Sequence, residues 1–139
     1  IRDYCDEELD VRKRAMGRVV TWFDEDIKAQ LYEGKTWSSQ CERIIADLPE
    51  NVYISFDIDG LDPRYCPNTG TPVPGGLDFH MATYLIKKVV TSGRKIISFD
   101  LNEVCPGSTD WDANVGARLL YHLCNWMGVS QGALHAKAS

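Results

Sequence analysis

The sequence predicts an α/β domain built around a mostly parallel sheet. Segments of strand and helix character follow one another as strand, helix, helix, strand, helix, strand, helix, which is typical of parallel sheets with helical crossovers. The 139 residues are 44% hydrophobic and 25% charged, so they can fill one core and are not of the disordered type. Because ligands of such folds bind beyond the carboxyl ends of the strands, function is expected at residues 57–76 and 100–107.

The first third of the chain predicts one strand and several helices. A short helix is expected within the first dozen residues, where acidic side chains are followed by basic ones. Residues 18–23 are β-branched and aromatic and predict a strand. Asp24 is the expected N-cap of a helix that ends near Gly34. The next helix is expected to begin at Ser38 or Ser39 and to stop at Pro49.

The remaining elements are more sharply marked. Residues 51–59 are the strongest strand signal in the chain, and the Gly- and Pro-rich residues 60–76 predict a loop. A helix is expected over 79–91, closed by Gly93, and a strand over 95–101. A final helix is expected over 112–127, with a small, polar tail after Gly128. Asp110-Trp111-Asp112 is interpreted as an N-cap with an anchoring tryptophan rather than as a further metal site.

Composition excludes several classes of function. Fifteen basic and twenty acidic side chains give a net charge of −5 with no basic stripe, so no nucleic-acid partner is expected. The chain contains no apolar run near the roughly 20 residues needed to span a bilayer, so no membrane partner is expected. Five cysteines without a CxxC pair argue against a disulfide framework and a structural zinc site, and favour free thiols in a cytoplasmic protein.

Asp57 and Asp59 are the first candidate site residues. They lie two residues apart where an apolar strand runs into the loop, and alternation along a strand would place both side chains on one side. Two adjacent carboxylates repel unless a cation lies between them, and oxygen ligands suit a hard divalent ion such as Mg²⁺, Ca²⁺ or Mn²⁺. The alternative is a pair of aspartates that cap the loop.

The two predicted strands share a pattern. Ile-Ser-Phe-Asp-Ile-Asp at 54–59 is echoed by Ile-Ser-Phe-Asp-Leu-Asn at 97–102, and Glu103 follows. Neighbouring parallel strands can share composition because both faces are buried, or the two strand ends can bring acids to one cleft. A period of two pairs Asp100 with Asn102 and does not by itself select Glu103.

Four segments resemble the ureohydrolase family, which contains arginases, agmatinases and formimidoylglutamases. They are residues 55–63 (SFDIDGLDP), 67–76 (PNTGTPVPGG), 99–106 (FDLNEVCP) and 1–3 (IRD), and their order and spacing extend the resemblance over nearly the whole chain. The likeness is arginase-like. It implies a three-layer α/β/α sandwich around a mostly parallel sheet, here as a partial copy, with two Mn²⁺ ions at the strand ends.

The resemblance also assigns roles. Asp57 corresponds to the aspartate that bridges both Mn²⁺ ions and Asp59 to one that chelates a single ion, so both are expected to be catalytic and metal-binding. Glu103 corresponds to the acid that holds the guanidinium of the substrate, and Thr71 to a threonine of the same pocket. The implied reaction is cleavage of a guanidino C–N bond, with release of urea, by a hydroxide shared between two metals. The implied partners are a small guanidino compound and, in the full-length protein, further copies of the chain.

Several departures from the family pattern leave alternatives open. The Gly-x-Asp-His and Asp-x-His-x-Asp segments that supply the remaining metal ligands are not in this sequence, and His80, His122 and His135 match no ligand position. Residues 1–139 are therefore expected to be the C-terminal portion of a ureohydrolase domain, with the other ligands encoded before Ile1. Cys5 stands where arginases carry an aspartate that reads the α-amino group, which leaves agmatinase or formimidoylglutamase activity, or a non-catalytic fragment, as alternatives.

Overall fold

A computed structural model describes residues 1–135 of the chain. These residues divide into two compact units, Ile1–Asp47 and a second that begins at Leu48, and each is described by itself. The division leaves the single-domain assignment a prediction. The described residues form five α-helices and two β-strands: α1 (Asp6–Arg14), α2 (Asp24–Tyr32), α3 (Trp37–Ala46), β1 (Asn51–Asp57), α4 (Phe79–Thr91), β2 (Lys95–Asn102) and α5 (Trp111–Ser130).

The helices of the first unit begin and end at local signals. In α1 the backbone N–H of Cys5 donates to the Glu8 carboxylate at 2.8 Å, so an acidic side chain closes the first turn. Helix α2 ends before Gly34, whose φ of 90° is a conformation that glycine adopts without strain. Helix α3 is capped by Thr36, whose side chain accepts the N–H of Ser39 at 3.2 Å. The helices expected in this part of the chain are confirmed, although α3 begins at Trp37. Asp24 is not the N-cap of α2, because it is already the first helical residue and Phe23 occupies the N-cap position.

The strand expected at 18–23 is absent from the described structure, and that prediction is wrong. This segment forms no strand, and backbone hydrogen bonds join its end to Ile1: the Ile1 amino group donates to the Trp22 carbonyl at 2.8 Å, and the Asp24 N–H donates to the Ile1 carbonyl at 3.0 Å. Val19 and Val20 remain about half exposed, at 47% and 53%. A β-branched composition predicts a strand only where a neighbouring chain completes the ladder, and here the pairing stops after one residue.

The second unit contains the predicted parallel sheet. Strands β1 and β2 pair in parallel, with Ser55 opposite Asp100 and Asp57 opposite Asn102. Their carboxyl ends therefore lie side by side, as the α/β class requires. The helices pack on this pair of strands, and Gln131 after α5 donates to the backbone carbonyl of Ile96 in β2 at 2.8 Å. The predicted α/β class with a parallel sheet is confirmed.

The core of the second unit lies under the loop that joins β1 to α4. It contains fully buried side chains from the loop and from α5, namely Ile58, Leu61, Cys66 and Leu119. The loop is closed at its base because the N–H of Asp62 donates to the Leu77 carbonyl at 2.9 Å and the N–H of Leu77 donates to the Gly60 carbonyl at 3.1 Å. The Gly- and Pro-rich loop is thus a packed part of the fold.

Two element ends differ from the prediction. Strand β1 stops at Asp57, and Ile58–Gly60 forms a single 3₁₀ turn instead of continuing the strand to residue 59. Helix α5 continues through Gly128 to Ser130 and ends before Gly132, whose φ is 75°. Gly128 lies inside the helix, at a place where a Cβ would be 2.7 Å from the side chain of Leu134. This glycine therefore allows close packing and does not mark the end of the helix. The tail expected after Gly128 lies partly outside the described residues.

Within residues 1–135, the helices include none whose length and apolar character would let it cross a bilayer.

Candidate active site

The candidate site lies where β1 and β2 end. Asp57 is the last residue of β1, and Glu103 directly follows β2. Glu103 has a φ of 61°, a left-handed conformation that is uncommon for a residue other than glycine. Such backbone conformations are found where the surrounding structure imposes them, often at functional sites. This turn takes Glu103 out of the alternation of the strand, which explains why a period of two could not select it.

Asp57 and Asp59 are brought together by the turn between them and not by strand alternation. The Asp57 carboxylate caps the 3₁₀ turn by accepting the backbone N–H of Asp59 at 3.2 Å. This local bond competes with continuation of the strand. The expectation that both aspartates project from one strand is therefore wrong in its reason, because Asp59 lies in the turn.

Asp57 experiences the charges of two further carboxylates, those of Asp59 and Glu103. The pKa of Asp57 is raised from its ordinary value, chiefly by burial and further by the negative charges of Asp59 and Glu103, while the hydrogen bond from the Asp59 N–H opposes this. A carboxylate in such a position is stabilised in its charged form by a cation. The two strand ends thus bring acids to one place, as one of the two interpretations of the strand repeat predicted.

The loop between β1 and α4 connects these carboxylates. The hydroxyl of Thr71 donates to Asp59 at 2.5 Å, and the hydroxyl of Thr69 donates to the backbone carbonyl of Glu103 at 3.1 Å. Between them, Gly70 lies so close to Glu103 that a Cβ would be 3.0 Å from its Oε2 atom. Three successive residues therefore contact Asp59 and Glu103 in turn.

The donor set fits one side of a site for a hard divalent metal. Asp57 and Asp59 offer carboxylate oxygens, which Mn²⁺ and Mg²⁺ accept. Within residues 1–135, however, no three or more His, Cys, Asp or Glu side chains are grouped so that they could hold a metal ion. His80 and His122 lie on α4 and α5, and both rings contact Phe79 at 5.8 Å between centroids. The described residues thus offer two carboxylates at this place and no complete group of metal ligands.

Two polar clusters near the site were not assigned a role from the sequence. On the sheet, Asp100 accepts hydrogen bonds from Tyr53 and Asn102 and, at 2.8 Å, from Ser55. The link between Asp100 and Asn102 is the pairing that alternation predicted. At the start of α5, Trp111 donates to a loop carbonyl at 2.9 Å, which confirms the anchoring tryptophan. The contact between Asp112 and the same loop had no signal in the sequence.

A comparison with known protein families identifies the family of this chain. The sequence model of the Arginase family matches residues 1–125. The chain belongs to the arginase family. The ureohydrolase resemblance of the four sequence segments is thereby confirmed.

Relatives within the arginase family carry different substrate names. A guanidinobutyrase of Pseudomonas aeruginosa is 35% identical over 136 residues, covering 90% of this chain and 42% of that protein. A crystal structure of a hypothetical agmatinase from Burkholderia thailandensis has a TM-score of 0.62 at 31% identity, over 84% of this chain and 39% of that one. A crystal structure of arginase from Bacillus cereus has a TM-score of 0.73 at 25% identity, over 88% of this chain and 41% of that one.

These likenesses confirm the arginase fold, although they extend over only part of each relative. The chain spans less than half the length of the arginase-family proteins it matches. It is therefore an arginase-fold segment that carries two strands, their loop and their helices.

Proposed function

We propose that the protein containing this chain is a dimanganese hydrolase that cleaves a guanidino C–N bond and releases urea, with residues 1–139 as the C-terminal portion of its domain. The observation that supports this most directly is the convergence of Asp57, Asp59 and Glu103 at the ends of two parallel strands. A hydrolase that acts on a cationic substrate next to bound metal ions needs acidic side chains for two purposes. Some bind the metal, and one binds the substrate.

In this proposal Asp57 and Asp59 hold the metal. Mn²⁺, when bound, lowers the pKa of a water and so supplies the nucleophile at neutral pH. By correspondence with the family motif, Asp57 and Asp59 would be the residues of this chain that hold the metal ions. The hydroxyl of Thr71 orients the Asp59 carboxylate through its 2.5 Å hydrogen bond and keeps one lone pair of that oxygen occupied.

Glu103 binds the substrate in this proposal. A carboxylate can accept two parallel N–H bonds from a planar guanidinium, which fixes the plane and position of the carbon to be attacked. Its left-handed backbone aims the side chain away from the strand, and Gly70 allows the carboxylate to lie directly against the loop. Thr71 lines the same pocket. Holding the cation in one orientation is the main way in which these residues accelerate the reaction.

The substrate is proposed to be a small linear guanidino compound. The match to a guanidinobutyrase extends over 90% of this chain, which favours a substrate without the α-amino group of arginine. The presence of Cys5 in place of the aspartate of arginases favours the same conclusion. Agmatine and formiminoglutamate are the alternatives that the family supplies.

The decisive experiment uses the full-length protein loaded with Mn²⁺. We expect it to release urea from at least one of arginine, agmatine and 4-guanidinobutyrate, or formamide from formiminoglutamate, and to lose this activity with a chelator. Urea is measured colorimetrically and formamide by chromatography. If the Mn²⁺-loaded protein turns over none of the four compounds, the proposal is refuted.

A second candidate is a non-catalytic relative. It is favoured by one observation, that the described residues contain no group of three or more side chains able to hold a metal. Calorimetry of the 139-residue chain with Mn²⁺ separates the candidates at the level of the fragment. Weak binding is expected of a chain with two ligands, whereas submicromolar binding would contradict this alternative.

The remaining properties are proposed on indirect support. None of the five cysteines forms a disulfide and two of them are buried, which supports a reducing cytoplasmic environment. A small guanidino compound and other copies of the full-length chain are the proposed partners, with neither nucleic acid nor membrane among them.

A further inference from the structure

The most deeply buried charged group of the second unit lies next to the candidate site. Asp112 is 0% exposed in the first turn of α5. Its Oδ2 atom accepts the backbone N–H of Asn68 at 2.9 Å, and its Oδ1 atom accepts the side-chain amide of Asn68, also at 2.9 Å. Both oxygens are thus used by a single residue of the loop.

A buried carboxylate at this position needs an explanation. Removing a carboxylate from water is costly unless it is hydrogen-bonded, although the N-terminus of a helix reduces the cost. Asp112 does not serve as the helix cap, because Asp110 occupies the N-cap position. The hydrogen bonds of Asp112 instead hold the loop to α5.

Asn68, which is bonded to Asp112, directly precedes the loop residues that contact Glu103. Thr69, which is 5% exposed, bonds the Glu103 carbonyl, and Gly70 lies against the Glu103 carboxylate. On the other side of Asn68, a Cβ on Gly107 would overlap its side chain, so the side chain of Asn68, although partly open to solvent, lies against both Asp112 and Gly107. Because Thr69 and Gly70 follow Asn68 directly in the chain, a displacement of Asn68 is expected to shift these two residues, which contact Glu103.

We infer that Asn68 and Asp112 form a positioning pair that sets where Glu103 holds the guanidinium group of the substrate. This inference rests on the proposed function of Glu103. Asn68 touches no reacting atom, and it acts through Thr69 and Gly70.

The pair can be tested by exchanging its two side chains in the full-length protein. Asn68→Asp replaces the amide donor by a second carboxylate facing Asp112, and Asp112→Ala removes both acceptors. The exchanged pair is the double variant of Asn68→Asp with Asp112→Asn. In the double variant, the new amide at position 112 can accept the backbone N–H and donate to the new carboxylate at position 68. Each single variant is expected to lower kcat/KM about ten- to hundredfold, mainly through KM, and the double variant to recover most of it. Asp110→Asn, which removes a charge from the same helix end, is the matched control.

A second measurement separates this inference from the proposed function. Hydrogen exchange of the amides of residues 68–71 is expected to quicken in each single variant and to return towards the wild-type rate in the exchanged pair. If the wild type is active and the single variants keep its KM, the positioning role is wrong while the proposed function stands. If no guanidino compound is turned over, the proposed function fails, and unchanged exchange in the single variants would then refute the pair as well.

Discussion

The backbone of Gly70 lies directly against the carboxylate of Glu103, and a Cβ on Gly70 would be 3.0 Å from the Oε2 atom of Glu103. Glu103 has a left-handed φ of 61°, and its backbone carbonyl accepts the hydroxyl of Thr69 at 3.1 Å, so the loop contacts both the backbone and the carboxylate of Glu103. The loop and the strand end therefore determine each other's position. The site is sensitive to small changes in the loop for this reason.

Gly70→Ala is expected to reduce turnover of the guanidino substrate. The added methyl group displaces the Glu103 carboxylate by a few tenths of an ångström, which misorients the bound cation and lowers kcat/KM by about tenfold or more. Gly60→Ala is the matched control, because a Cβ there meets no atom within 4 Å. Steady-state kinetics of both variants tests this, and equal activity of the two would contradict the close contact.

The hydroxyl of Thr71 is expected to matter through its bond to Asp59. Thr71→Val removes this donor while it keeps the shape of the side chain, and Thr71→Ser keeps the donor. A hydrogen bond to a charged group contributes about 1.5–3 kcal/mol, so kcat/KM of the valine variant is expected to fall by tenfold or more relative to the serine variant. If Thr71→Ser is more impaired than Thr71→Val, the site requires the methyl group of Thr71 and not its hydroxyl.

Asp57 and Asp59 are expected to link stability to Mn²⁺. A ligand at one hundred times its dissociation constant stabilises the folded state by about 2.7 kcal/mol, so Mn²⁺ should raise the melting temperature of the full-length protein. Asp57→Asn and Asp59→Asn should each abolish most of this increase, whereas Asp110→Asn should keep it. Differential scanning calorimetry with and without a chelator measures the effect. An undiminished increase in the Asp57 variant would exclude it as a ligand.

Gly76 is expected to be required for folding of the loop. Its φ is 88°, and a Cβ there would lie 2.7 Å from backbone atoms of Leu61 that are fixed by the core. Gly93 has a similar φ of 92° but open space around it. Gly93→Ala should therefore cost about 1–2 kcal/mol of unfolding free energy from the left-handed backbone alone, and Gly76→Ala clearly more. Urea denaturation compares the two, and equal costs would contradict the clash.

His122 is expected to make stability depend on pH. Its pKa is lowered in the folded state, first by burial and then by the positive charge of His80. As pH falls through about 6.5, the unfolded chain binds a proton that the folded protein resists, so stability decreases until the lower folded pKa is passed. His122→Gln should reduce the loss of stability between pH 7.5 and 5.5, and an unchanged loss would contradict the prediction. Denaturation curves at both pH values test this.

The elements set by local signals could be predicted from the sequence. Helix α4 extends from Phe79 to Thr91 as expected, because Asp78 caps its first turn and Gly93 follows its last. The site residues Asp57 and Glu103 came from the family motif, and the structure brings them together at the strand ends. The motif anticipated the proximity of these acids, and the roles it gives them stay predictions.

The features that depend on distant partners could not be predicted. Residues 18–23 have strand composition but pair only at Ile1, and no pattern within the segment reveals that its neighbours are missing. Asp59 lies in a 3₁₀ turn and not in the strand, because the side chain of Asp57 accepts a hydrogen bond from its N–H. The pairing of Asn68 with Asp112 joins residues 44 positions apart, and neither residue type implies the other.

By itself, the sequence determined the α/β class, the order of the elements from Asn51 onwards and the family that supplies its acids. These properties follow from periodicity, caps and motifs, which act over a few residues. Only the tertiary structure decided that Glu103 turns out of its strand, that Gly70 lies against it and that Asp112 holds the loop. The physical reason is that close packing and buried hydrogen bonds are satisfied between segments, and their partners are chosen by the fold as a whole.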